Sequence, residues 1–79
     1  MTLEGLEPGS RARIVAVDWS RFAQEDGVRL RALGLDESAR VAVAHRGVFG
    51  GRDPLAVMIG RMTVALRRAH AAATEVEPL

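Results

Sequence analysis

Two histidines, His45 and His70, are the side chains best suited to metal or proton chemistry in this sequence. Neutral imidazole binds transition metals readily, but these two residues lie on different predicted elements, without the short spacing of a histidine ligand pair. Asp53 or Glu75 could join them in space. Cysteine is absent, so the chain has neither a thiolate ligand nor a cysteine nucleophile. We expect no metal site and no cofactor, and we retain His45 and His70 as weak metal candidates.

Patterns typical of catalysis are missing from the sequence. Ser10, Ser20 and Ser38 all stand in turn-like sequence, and no two acidic residues form an obvious pair for acid–base work. Gly50 and Gly51 are not followed by the lysine and hydroxyl residue of a phosphate-binding loop. We therefore expect a protein that is not an enzyme.

The length indicates one domain over residues 1–79. The charge balance argues against binding to nucleic acid. All eleven basic residues are arginine, and ten acidic residues leave a net charge of +1. Phosphate-driven binding relies on a stronger positive balance. The acidic start lacks a signal-peptide core, and no apolar run approaches the roughly 18 residues of a membrane span. We expect a cytoplasmic protein with no direct membrane insertion and no nucleic-acid partner, and the oligomeric state stays open.

The predicted elements are organised around a short helix that runs directly into a strand. Leu30 and Leu33 are three positions apart, so they share one face of a helix. Gly34 follows them, and glycine commonly ends helices because it adopts the left-handed conformation at little cost. The spacing predicts a helix over residues 27–33, capped by Asp26, with Leu30 and Leu33 both in the core.

Alternating apolar residues on either side of this helix predict several short strands. They cover residues 11–18, 39–46, 55–59, 62–66 and 74–76, with one helical turn over 66–71. A closed sheet has no exposed edges, which favours closure in a domain with a thin core. The expected fold class is all-β, a small β-barrel with one short helix and a helical turn near the C-terminus.

Aromatic residues in two predicted loops have different expected roles. Trp19 and Phe22 are predicted to cover an edge of the core. Phe49 stands among glycines, where a solitary aromatic gains little from packing and is better explained by contact with a partner. We predict a partner-binding surface at the mouth of the barrel, formed by Leu35, Val48 and Phe49, with Arg46 and Arg52 at its rim.

Framework residues recur across almost the whole chain in an order and spacing that are specific in combination. They are Leu3-x-x-Leu6-x-x-Gly9, Ile14-x-x-Val17, Arg29-Leu30-x-x-Leu33-Gly34-Leu35, Val41-x-Val43, Asp53-Pro54-x-x-Val57-x-Ile59-Gly60 and Ala65-Leu66-Arg67-Arg68. In this combination the chain resembles the FeoA family, ferrous iron transport protein A. It departs from the family where Ser38 replaces a usual glycine and where Arg52 separates Gly51 from Asp53. His70 and Thr74 stand where glutamate and isoleucine are common.

The resemblance implies an SH3-like barrel and a small bacterial, cytosolic protein that supports a membrane transporter of ferrous iron. Its implied partner is the cytosolic GTP-binding domain of that FeoB-like transporter. The same fold occurs in metal-responsive repressors, so one alternative is a stand-alone sensor that binds a transition metal through His45 and His70. A second alternative is a nucleic-acid-binding barrel, which the near-neutral charge disfavours.

Overall fold

The structure, a computed structural model, describes residues 1–46 and 54–79, without the side chains of residues 45 and 46. Five strands, two α-helices and two 3₁₀ turns follow one another along these residues. In chain order they are the 3₁₀ turn Leu3–Gly5, β1 (Arg11–Val17), the 3₁₀ turn Trp19–Arg21, α1 (Gln24–Ala32), β2 (Arg40–Arg46), β3 (Leu55–Ile59), β4 (Met62–Leu66), α2 (Arg68–Ala72) and β5 (Thr74–Pro78). The predicted bounds of β3 and β4 are confirmed. Helix α2 begins two residues later and ends one residue later than the turn predicted over 66–71, and β5 extends two residues beyond the predicted 74–76.

The five strands form one antiparallel sheet in the order β4-β3-β2-β1-β5. Irregularities in register fall within β1, between Ile14 and Ala16, and within β2, between Val43 and His45. Such irregularities bend strands and increase their twist. The prediction of a mostly β domain is confirmed. No pairing joins β4 to β5 among the described residues, so the predicted closure into a barrel is not confirmed.

The outer edge of β5 is covered by the start of the chain. The backbone N–H of Val76 donates to the carbonyl of Met1 at 2.8 Å, and Thr2 forms an isolated bridge with Glu75. Leu3, in the 3₁₀ turn that follows, is fully buried. The first residues therefore protect an edge that a closed barrel would have paired with another strand.

One apolar cluster on the inner side of the sheet forms the core. In β1, Ala12 and Ile14 are buried while Val15 is exposed, because successive side chains of a strand point to opposite faces. The buried apolar side chains of the other strands are Val41, Val43, Leu55, Val57, Ile59, Val64, Leu66 and Val76. Leu30 from α1 and Leu35 from the following turn complete the same cluster.

Helix α1 begins at Gln24, earlier than the predicted start at Gly27. Its N-cap is Ala23, and Asp26 lies in the first turn, where a negative charge favours the positive end of the helix dipole. Asp26 is therefore not the cap that the sequence predicts. Gly27 sits inside the helix, where a Cβ would lie 3.6 Å from Cε3 of Trp19, an ordinary van der Waals contact.

The end of α1 confirms the predicted glycine stop and corrects the assignment of its leucines. Gly34 has a φ of +106°, and the N–H of Leu35 donates to the carbonyl of Leu30 at 2.9 Å. This is the hydrogen-bond pattern of a Schellman motif, in which the residue after the glycine packs back towards the last turn. Leu30 and Leu35 are accordingly fully buried, while Leu33 is only partly buried.

Candidate functional site

The predicted partner surface falls mostly outside the described residues. Val48, Phe49 and Arg52 lie outside them, and Arg46 is described only as part of the backbone of β2. Leu35 is described and has an exposed fraction of 0%. Its inclusion in an accessible surface is therefore wrong, because the Schellman turn directs it into the core.

Only one of the two candidate metal ligands, His70, has a described side chain. His70 lies in α2 and is buried, with its Nε2 atom 4.0 Å from Oδ2 of Asp26. The side chain of His45 lies outside the described part of the chain. Within that described part, no group of three or more histidine, aspartate or glutamate side chains is placed to hold a metal ion.

His70 belongs to an aromatic cluster that joins α2 to the segment around α1. Its ring stacks on Phe22, with centroids 4.5 Å apart and an interplanar angle of 15°. The ring centroids of Phe22 and Trp19 are 5.0 Å apart. The guanidinium carbon of Arg31 lies 5.1 Å from the centre of the tryptophan ring. Phe22 is buried and Trp19 packs against the core, which confirms the prediction that these two aromatics cover a core edge.

A basic patch forms on the outer face of β1 and β2, which we call the arginine face. It consists of Arg11, Arg13 and Arg40. Arg13 lies directly opposite Arg40 in the sheet, and Arg11 lies opposite Ala42. Arg13 forms an ion pair with Glu77 of β5, with Nη2 and Oε1 2.6 Å apart. Within the described residues, neither Arg11 nor Arg40 has an ion-pair partner.

A shallow groove runs beside the arginine face over the central strands. It is bordered by Arg11 and Arg40, and its floor includes Ala42 and Met58. Ala42 pairs with Met58 across β2 and β3, and Met58 is 40% exposed. The groove therefore combines guanidinium groups at its border with apolar surface on its floor.

Sequence reasoning missed this face because it depends on strand register. The alternation of Arg11 and Arg13 places both on one side of a strand, and this was the signal available in the sequence. Three further arginines, Arg61, Arg67 and Arg68, lie nearer the C-terminus and are exposed. Of these, Arg68 forms an ion pair with Glu4, with Nε and Oε1 2.7 Å apart.

The described residues form a small domain built on one five-stranded antiparallel sheet. None of its described helices has the length and apolar character required to cross a membrane. Residues 1–78 match the FeoA domain family, so the chain belongs to the FeoA family. A comparison with the sequences of curated proteins gave no significant match.

Solved structures of FeoA proteins share this fold over essentially the whole chain. FeoA from Chlorobium tepidum is 30% identical with a TM-score of 0.84, and the alignment covers 100% of this chain and 70% of that one. FeoA from Stenotrophomonas maltophilia, solved in complex with zinc, is 32% identical with a TM-score of 0.76, covering 98% and 89% of the two chains. That protein is described as an SH3 domain protein and a candidate ferrous iron transport activating factor.

A third relative is substantially longer than this chain. Iron(II) transport protein A from Clostridium thermocellum is 26% identical with a TM-score of 0.83, and the match covers 100% of this chain. The chain spans only 46% of that relative's length. The similarity therefore covers this whole chain and slightly less than half of the longer protein.

Proposed function

We propose that this protein is a cytoplasmic accessory factor of ferrous iron uptake that binds the cytosolic GTP-binding domain of the membrane transporter. The observation that carries the proposal is the FeoA family match over residues 1–78. It is supported by the description of the S. maltophilia relative as a candidate transport activating factor. Such a role relies on surface contacts and requires neither a catalytic centre nor a cofactor of its own.

The proposed contact surface is the segment that carries Val48 and Phe49, with Arg46 and Arg52 at its rim. Phenylalanine and arginine are both enriched at protein interfaces relative to the rest of the surface. Leu35 is left out of this surface because it is fully buried. Interfaces of this kind draw most of their binding energy from a few aromatic or arginine side chains ringed by weaker contacts.

The test is titration of the transporter's purified cytosolic domain with the full chain and with Phe49→Ala. The variant should bind about 1–3 kcal/mol more weakly, as loss of an anchor side chain does, and its melting temperature should match that of the parent. Arg52→Glu should mainly slow association, because rim charges act on the rate of encounter. Val28→Ala, on the exposed side of α1, is the matched control and should bind normally.

Two results contradict the proposal at different levels. If the unmodified chain does not bind the domain in any nucleotide state, the proposed partner is wrong. If Phe49→Ala lowers the melting temperature by many degrees, Phe49 is a core residue and only the placement of the contact surface is wrong.

A second candidate function is direct sensing of a transition metal ion. The specific observation in its favour is the approach of the His70 imidazole to Asp26, at 4.0 Å between Nε2 and Oδ2, and the S. maltophilia relative was solved with zinc. Calorimetric titration with ferrous and zinc ions tests it. Micromolar binding that disappears in the double variant His45→Ala, His70→Ala would support sensing, and binding that survives in that variant would contradict it.

A further inference from the structure

The arginine face places like charges next to each other on two neighbouring strands. Arg13 and Arg40 are directly opposite each other on antiparallel strands, and their side chains therefore leave the same face of the sheet. Directly opposed side chains start from Cβ atoms only about 4.5–5.5 Å apart, and like charges in such a pair destabilise a sheet. A chain with a net charge of only +1 nonetheless concentrates three arginines here.

The acidic residues described nearby compensate for only part of this charge. The Oε1 atom of Glu77 accepts two hydrogen bonds from Arg13, at 2.9 Å from Nε and 2.6 Å from Nη2. Arg11 and Arg40 are exposed, and no ion pair involves them within residues 1–46 and 54–79. Two guanidinium groups therefore face solvent beside a third whose charge is already matched.

The distance between Arg11 and Arg40 is close to the distance between alternate side chains on an extended chain. Since Arg11 is opposite Ala42, Arg40 is its diagonal neighbour, roughly 7–8 Å away between Cα atoms. Side chains at alternate positions of a strand leave from points about 6.6 Å apart, at a rise of about 3.3 Å per residue. Two carboxylates separated by one residue thus match the two guanidinium groups, each of which binds a carboxylate in a two-pronged fashion.

The groove beside the arginines adds an apolar contact. Met58 is 40% exposed and lies next to Ala42 in the sheet, and both residues line the groove together with Arg11 and Arg40. Methionine adapts its shape to different apolar partners and is favoured at binding surfaces. An apolar side chain that follows the two carboxylates on the same face of a segment would therefore find surface to cover.

We propose that the arginine face and its groove bind an extended acidic segment of another protein. The pattern recognised is two carboxylate side chains at alternate positions followed by an apolar residue. This surface is separate from the Phe49 segment, and the proposal does not depend on the role in iron uptake. A protein segment is favoured over nucleic acid because the described aromatics, Trp19 and Phe22, pack in the cluster beside α1, so the described face offers no ring on which bases stack.

The experiment measures binding of a peptide labelled at its N-terminus, fluorescein-Glu-Ser-Glu-Ser-Leu-amide, to the full chain by anisotropy, and of its acetyl-capped form by amide chemical shifts. We expect saturable binding with shifts concentrated in β1 and β2.

The double variant Arg11→Gln, Arg40→Gln should bind at least about tenfold more weakly, because it loses both charge-assisted contacts. Met58→Gln should also weaken binding. The matched control is Arg29→Gln, which removes an exposed arginine from α1 and should leave the affinity unchanged.

Melting temperature separates binding from folding in this test. The double variant should melt at or above the parent temperature, because it removes a like-charge pair from the sheet. A peptide with glutamine in place of glutamate should not bind.

Three results would overturn the proposal. They are equal binding of the glutamine peptide, equal loss of affinity in Arg29→Gln, and tighter arginine-dependent binding of a single-stranded DNA oligonucleotide, which would indicate a nucleic-acid surface. The assay contains no transporter component, so none of these results bears on the proposed role in iron uptake.

Discussion

Leu30, Leu33 and Leu35 show how burial is distributed at the end of α1. Leu30 and Leu35 have exposed fractions of 0%, and both belong to the core cluster, against which Leu33 is only partly packed. The helical spacing of Leu30 and Leu33 predicts equal burial. The left-handed turn at Gly34 changes this, because it brings Leu35 back over the last helical turn and leaves Leu33 at its margin.

At the residue scale, we predict that Leu30→Ala largely unfolds the protein. Truncating a fully buried leucine to alanine costs roughly 2–5 kcal/mol, and a core of this size supplies only about 3–5 kcal/mol of stability. Leu33→Ala should cost less, since Leu33 is only partly buried. Urea unfolding followed by circular dichroism measures both. Val28→Ala is the control, because Val28 is 65% exposed, and a Leu30→Ala melt close to that of the parent would contradict the assignment.

The connection between α1 and β2 carries a second backbone feature, at Ser38. Its φ is 70°, and among the described residues it is the one non-glycine residue in a left-handed conformation. Its backbone N–H donates to the carbonyl of Ile14 at 2.8 Å, which links the turn to β1. The position is also one where the FeoA family usually has glycine, so the resemblance and the backbone conformation lead to the same expectation.

At the element scale, we predict that Ser38→Gly stabilises the protein by about 0.5–1 kcal/mol. A non-glycine residue in the left-handed region costs roughly 1–2 kcal/mol, and the larger entropy of glycine in the unfolded chain offsets part of that relief. Ser10→Gly, at a residue without a positive φ, should instead lower stability. Chemical denaturation of both variants provides the measurement, and a loss of stability in Ser38→Gly would show that the side chain contributes more than the strain removes.

Across the whole molecule, one core connects every strand with both helices and the start of the chain. The cluster contains Leu3 from the first turn, Leu30 from α1 and Ala71 from α2, together with the inner residues of the sheet. Trp19, the single tryptophan, packs against the same cluster. Its fluorescence therefore reports on the core that also holds the sheet together.

At this scale, we predict one cooperative unfolding transition. Urea curves from Trp19 fluorescence and from far-ultraviolet circular dichroism should coincide, because a small domain with one core unfolds in an all-or-none manner. Phe22→Leu, which removes a ring contact of Trp19, should shift both curves together. Separate midpoints for the two probes would indicate that the segment around α1 unfolds independently of the sheet.

Local sequence determined the features that depend on neighbouring residues. Alternating apolar residues predicted β3 and β4 with their observed bounds, because strand periodicity follows from the geometry of the extended backbone. Gly34 predicted the end of α1, because its positive φ is inexpensive only without a Cβ. The framework residues also sufficed to predict membership of the FeoA family, which the match over residues 1–78 confirms.

Tertiary structure decided what depends on residues distant in the chain. Gly27 was expected to begin the helix, but it lies inside α1, which begins at Gln24, beside the ring of Trp19. The opposition of Arg13 and Arg40 follows from the register of β1 against β2, and the cover on the edge of β5 comes from Thr2, at the other end of the chain. Register and edge protection are properties of pairs of segments, so no single stretch of sequence contains them.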